Sequence, residues 1–135
     1  MKRPREQFQR WLSQAEHQLE VTHSLSELGF WSDVCFNAEQ TAQMALKAFL
    51  YGKGRRYVLI HSIQELARQC AEIDGTFAEA IEWGRILDRY YITTRYPDAL
   101  APPAVPFRSF TEGDARQAYQ YAANIVHLGK SRSEG

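Results

Sequence analysis

The sequence predicts an all-α protein, an up-and-down antiparallel four-helix bundle with one short additional helix. Three observations carry this. Apolar residues recur every three or four positions through almost the whole chain. Capping pairs and glycines punctuate those runs where helices should begin and end. The only stretch that favours extended structure, around Tyr57, Val58 and Ile60, has no second strand to pair with. A length of 135 residues fits one domain, with a core over about 5–128 and a polar tail over 129–135.

The first helix runs from about Arg5 to Leu28, with Phe8, Trp11, Leu12, Ala15, Leu19, Thr22 and Leu25 on one stripe. Gly29 is its expected C-cap and Ser32 the next N-cap. The second helix, about Asp33 to Tyr51, carries a face of small residues (Ala38, Thr41, Ala42, Ala45, Ala48) that lets a neighbour approach closely. Gly52 and Gly54 end it, and Arg55–His61 link it as an ordered loop to a short helix from about Ile63 to Glu72. Ser62 with Glu65 reads as a capping box there, and Thr76 with Glu79 as another opening a helix that reaches about Arg95. Pro97, Pro102, Pro103 and Pro106 then impose an extended loop. Thr111 with Asp114 opens the last helix, about Glu112 to Leu128.

Composition narrows the function classes. With 44% hydrophobic and 24% charged residues the chain reads as a soluble globular protein. Its formal net charge is zero, so no global field draws it to nucleic acid, DNA included, or anionic lipid, and any phosphate site must be a local cluster. No apolar run approaches the roughly 18 residues of a membrane span, and the polar start is not a signal peptide. Cys35 and Cys70 lack the count and spacing of a disulfide framework or zinc site and read as buried reduced thiols. A cytoplasmic protein is expected. His17 and His23, six apart, do not face one metal, so neither a metal nor a cofactor is expected.

The polar chemistry gathers in three places. On the fourth helix Ile81, Gly84, Asp88, Tyr91 and Arg95 are spaced to share a face, and Tyr96, Pro97 and Asp98 follow at once. This is either a C-terminal capping network, with Arg95 on the last carbonyls, or a site in a cleft at the bundle's end. On the second helix Asn37, Gln40, Met44, Lys47 and Tyr51 form a stripe that suits a dimer interface or a pocket wall. In the loop, Lys53, Arg55, Arg56 and His61 precede the helix N-terminus at Ser62; they suit either a phosphate or a solvated basic turn.

Three stretches in this order, "FNAEQTAQMALKAFLYGKG", "HSIQEL" and "LDRYYITTRYPDA", resemble the HEPN (higher eukaryotes and prokaryotes nucleotide-binding) domain family. The resemblance runs from about Trp11 to Val126. It implies a homodimer, nucleotide binding without catalysis, and action beside a minimal nucleotidyltransferase partner. Transferred to this chain, phosphate or ligand contacts fall to Arg95, Lys47, Tyr91 and Tyr96, with Asp98, Asp88, Gln40 and His61 as further candidates. Many members of the wider superfamily are ribonucleases with an Arg followed four to six residues later by His. Here Arg95 matches the Arg, but Leu100, Ala101 and Pro102 stand where His belongs, so no catalytic residue is assigned. The alternatives are a ribonuclease toxin of a toxin–antitoxin pair with His61 or Asp98 displaced into the acid/base role, and a pure protein-interaction module.

Overall fold

The protein's structure, a computed structural model, describes residues 3–132. It is a helical bundle with no strand among those residues: α1 (Pro4–Glu27), α2 (Trp31–Gly52), α3 (Ile63–Ile73), α4 (Ala78–Leu87), α5 (Tyr90–Thr93) and α6 (Glu112–Ser131). Helix α2 is the central element, packed against α1, α3, α5 and α6. Its small face explains this: Ala38, Ala42, Ala45 and Ala48 are fully buried, so neighbouring backbones can come close. Among the described residues no helix is long and apolar enough to cross a membrane.

Two glycines set the helix exits. Gly29 (φ +80°) lies one residue beyond the α1 C-cap, Leu28, and lets Phe30 N–H reach the Leu25 carbonyl and Gly29 N–H the Ser26 carbonyl. Gly54 (φ +94°) does the same after α2, with Arg55 N–H on Leu50 and Gly54 N–H on Tyr51. Both are Schellman turns, which need the left-handed conformation that glycine adopts without strain.

Several local expectations are corrected. Ser32 is not an N-cap: α2 begins at Trp31 and the Ser32 hydroxyl donates instead to the Thr94 carbonyl at 3.0 Å, tying α2 to the end of α5. The Thr76–Glu79 box does not form. Asp74 Oδ1 accepts from Thr76 N–H (3.0 Å) and Thr76 Oγ1 (2.8 Å), and a 3-10 turn over Gly75–Phe77 leads into α4. The fourth helix is not continuous to Arg95; after Leu87 it tightens, with Arg89 N–H on the Ile86 carbonyl, and it resumes as α5. The proline-rich loop contains 3-10 turns at Pro97–Ala99 and Pro106–Arg108, each opened by a proline whose fixed φ suits the first helical position. The Thr111–Asp114 box forms in both directions, and α6 runs on to Ser131, into the segment read as tail; residues 133–135 of that tail lie outside the described residues.

Cys35 and Cys70 are buried and unpaired, and burial pushes both thiols up to about 12, which makes them inert core groups.

Candidate functional site

Helix α3 has a cap brought from outside its own sequence. Ser62 Oγ accepts from Glu65 N–H at 3.2 Å, but the Glu65 carboxylate turns to Arg68 and Gln69 and leaves the box half made. Asp88, from the end of α4, adds a second cap on the next two amides. Its Oδ1 accepts from Ile63 N–H at 2.6 Å, and its Oδ2 from Gln64 N–H at 3.1 Å and Ser62 Oγ at 2.9 Å. A carboxylate therefore occupies the helix N-terminus that the sequence offered to a phosphate. Asp88 is an internal anion for α3, not a ligand group.

That clamp fixes the start of α3 against α4, and with it two aromatic groups. His61 enters just before Ser62, and Tyr91 stands one turn after Asp88. Their rings stack with centroids 5.3 Å apart and planes 19° from parallel. Arg95 folds back one turn, donating from Nε and Nη2 to the Tyr91 carbonyl at 3.1 and 2.7 Å. Its guanidinium sits 4.4 Å from the Phe36 ring centroid, 5.2 Å from Tyr91 and 5.0 Å from Tyr96. The guanidinium is thus held by three rings and one carbonyl, in cation–π and capping geometry. Its Nη1 has no hydrogen-bond partner among the described residues.

Across from these groups runs α2. Gln40, Gln43, Met44 and Lys47 line the same groove as Phe36, Trp11, His61, Tyr91 and Arg95. The groove encloses about 260 Å³, near the low end for a small-molecule site. It opens past Trp11 and Met44 into a broader hollow over α1 lined also by Arg10, Tyr51 and Arg56. Trp11 and Tyr51 pack ring to ring there at 5.1 Å. Among the described residues, no Asp or Glu lines either space, although acids equal bases in the whole chain. The surface ion pairs, such as Glu65–Arg68, Glu82–Arg85, Glu112–Arg116 and Glu16–Lys130, lie elsewhere.

Neither Lys47 nor Arg95 has a carboxylate within ion-pair distance among the described residues. Lys47 is half-buried; burial lowers its ammonium pKa, and the field of Glu39 one wall deeper opposes that. Glu39 itself is completely buried. Burial holds its carboxyl above the usual carboxylate range, although hydrogen bonds from Gln43 and Gln40 offset part of the shift; Asp88 adds a further upward push and Arg95 a downward one.

Of the eight residues singled out in the sequence, five converge on one groove: Gln40, Lys47, His61, Tyr91 and Arg95. Tyr96 joins through the Arg95 guanidinium. Asp88 is spent on α3, and Asp98 lies in a separate hollow with Pro97, Leu100 and Pro102. The helix-end cluster is therefore both things weighed for it: Arg95 does cap a carbonyl, and it also faces a groove. The stripe on α2 lines that groove at Gln40, Met44 and Lys47, Tyr51 lines the broader hollow beside it, and Asn37 turns back to the Asp33 carbonyl. Phe36, Gln43 and Glu39 were not foreseen as site residues. Their spacing with Gln40 and Lys47 at three to four residues was visible, as was one Glu inside an alanine-rich face.

Comparison with known proteins agrees with this architecture. The HEPN domain family matches over residues 8–132. The crystal structure of TT1696 from Thermus thermophilus superposes with a TM-score of 0.84 at 33% identity, over 92% of this chain and 96% of that one. The crystal structure of ST0689, an archaeal HEPN homologue, does so with 0.77 at 28% identity, over 98% and 99%. A search of curated proteins finds no match. With its bundle, its central α2 and a family match over nearly its full length, this chain belongs to the HEPN domain family.

Proposed function

We propose that the groove between α2 and the α4–α5 corner binds the phosphate of a nucleotide without chemical turnover. The observation that carries this reading is a pair of cations, Lys47 and Arg95, with no carboxylate within ion-pair distance among the described residues, set in a groove that no described acid lines. An anion entering there meets a half-buried ammonium and a guanidinium held among three rings, both able to make charge-assisted hydrogen bonds. The stacked pair His61–Tyr91, with Phe36 and Trp11 nearby, supplies flat surface for a base. By family resemblance the module works in the cytoplasm as a homodimer beside a nucleotidyltransferase.

Titration of the protein with nucleoside mono-, di- and triphosphates tests this. Lys47→Met and Arg95→Gln should each weaken binding by about ten- to a hundredfold, the size of a lost charge-assisted hydrogen bond, while the protein stays folded. Absence of binding at millimolar ligand, or binding that ignores both substitutions, would remove the reading.

One observation favours a second function. His61 shares the groove with Arg95 even though it precedes α3 instead of following Arg95 in sequence. An imidazole there could take the proton of an RNA 2′-hydroxyl as that oxygen attacks the adjacent phosphorus to form a 2′,3′-cyclic phosphate, while the P–O5′ bond breaks and the 5′-oxygen takes a proton from water to leave as an alcohol. RNA incubated with the protein and a chelator should then be cut, and His61→Ala should abolish cleavage. Intact RNA under those conditions leaves only the binding function.

A further inference from the structure

Glu39 is fully buried in the middle of α2, directly behind the groove wall. Among the described residues no Lys, Arg or His comes within ion-pair distance of it. Burying a carboxylate without a cation is unfavourable, and a neutral residue of similar volume would serve packing at least as well. Its position needs a reason other than stability.

The reason is visible in its two partners. Glu39 Oε1 accepts from Gln40 Nε2 at 2.7 Å, and Oε2 accepts from Gln43 Nε2 at 2.5 Å. With both carboxyl oxygens accepting, each amide turns an N–H inward, and both amide oxygens face away from Glu39. Neither Gln40 Oε1 nor Gln43 Oε1 accepts a hydrogen bond from any described residue, and both side chains line the groove. Three residues apart on one helix, they lie within a turn of each other. The wall opposite Tyr91 and Arg95 thus carries two acceptors of fixed orientation with nothing to accept from.

We infer that Glu39 is a positioning residue that sets the Gln40 and Gln43 amides as a paired acceptor, so that the groove selects a nucleobase bearing an exocyclic amino group. The inference rests on the nucleotide-phosphate reading: Lys47 and Arg95 take the phosphate, and the amides read the base. A base without the amino group leaves an acceptor unmet in a partly desolvated wall, which is how a hydrogen-bonding site rejects a ligand.

The test uses two pairs of nucleotides that differ only by that group: AMP with purine-riboside 5′-monophosphate, and GMP with IMP. Ribose 5-phosphate is the base-free control. In the unmodified protein the amino-bearing member of at least one pair should bind about tenfold tighter, the cost of one hydrogen bond left unmade. Glu39→Gln offers one oxygen and one NH2, so only one neighbouring amide can keep its orientation, and the other turns its own NH2 into the groove. The preference should then fall toward unity, with ribose 5-phosphate affinity unchanged and thermal stability equal or higher. Gln40→Met, at a half-exposed position, removes one acceptor outright and should have the same effect on preference should the first variant fold poorly. Equal binding within both pairs, or a preference that survives Glu39→Gln and Gln40→Met, overturns the inference. If every ligand binds alike and still depends on Arg95, the phosphate reading stands and only the amide reading falls. If ribose 5-phosphate and all four nucleotides fail to bind, both fall.

Discussion

Asp88→Ala is expected to destabilise the protein by about 2–4 kcal/mol, the sum of a lost N-cap and two backbone amides left without a partner. For a domain of this length that corresponds to a fall in melting temperature on the order of ten degrees. The reason is that three donors converge on one carboxylate: Ile63 N–H, Gln64 N–H and Ser62 Oγ. The site is only half-buried, so water will satisfy part of what is lost, which keeps the figure near the lower end. Asp88→Asn retains one acceptor oxygen and should cost roughly half as much. The same clamp brings His61 and Tyr91 into register, since each lies within three residues of it in the chain. Nucleotide affinity should therefore fall in Asp88→Ala even at temperatures where the protein remains folded. Urea titration of the three proteins gives the first quantity and ligand titration the second. A stability within about 0.5 kcal/mol of the parent protein, the range of ordinary surface substitutions, would show that the cap is dispensable.

Gly84→Ala is the second large effect, about 2 kcal/mol or more of lost stability, and its sign runs against helix propensity. In an exposed helix interior the change would gain about 1 kcal/mol. Here an added Cβ would stand 2.7 Å from Gln64 N, 2.8 Å from Ile63 C and 2.9 Å from Ile63 Cγ2. Two of those three atoms are backbone at the clamped start of α3, so they cannot swing aside as a side-chain tip would. The helices must separate, and overpacking of this kind costs about 1–3 kcal/mol. Gly75→Ala is the control: nothing lies within 4 Å of its would-be Cβ. That change should stay within about 0.5 kcal/mol of the parent protein. Equal melting temperatures for the two variants would mean that α3 and α4 are not held at this distance.

Both substitutions bear on one question: which features of the site were legible before the structure was known. Gly84 and Asp88 were placed on a shared face with Tyr91 and Arg95 by their spacing, and that placement was nearly right. Their roles were not visible, because the partner of each is the backbone of α3, some twenty residues earlier in the chain. Spacing reports which residues lie together on one helix, but not which group from another helix meets them. The same limit explains the misread Ser62–Glu65 box. A local pattern proposes a reciprocal cap, but Glu65 turns to Arg68 and Gln69, and a carboxylate brought in by tertiary packing takes the Ile63 and Gln64 amides. At Thr111 the local pattern forms in both directions.

The helical class, the helix order and the crowded, alanine-lined α2 could all be read from periodicity and turn residues, because hydrophobic patterning and chain punctuation are local and act before any long-range contact forms. The family too was legible in three short motifs. What folding alone decided is the groove. Lys47 and Arg95 are forty-eight positions apart in the chain, and His61 belongs to a loop between them. They converge because the α3–α4 clamp and the return of the loop along α2 bring them together, and among the described residues no carboxylate lies within ion-pair distance of either cation. Electrostatic character of this kind is a property of distances in space, which residue order does not contain.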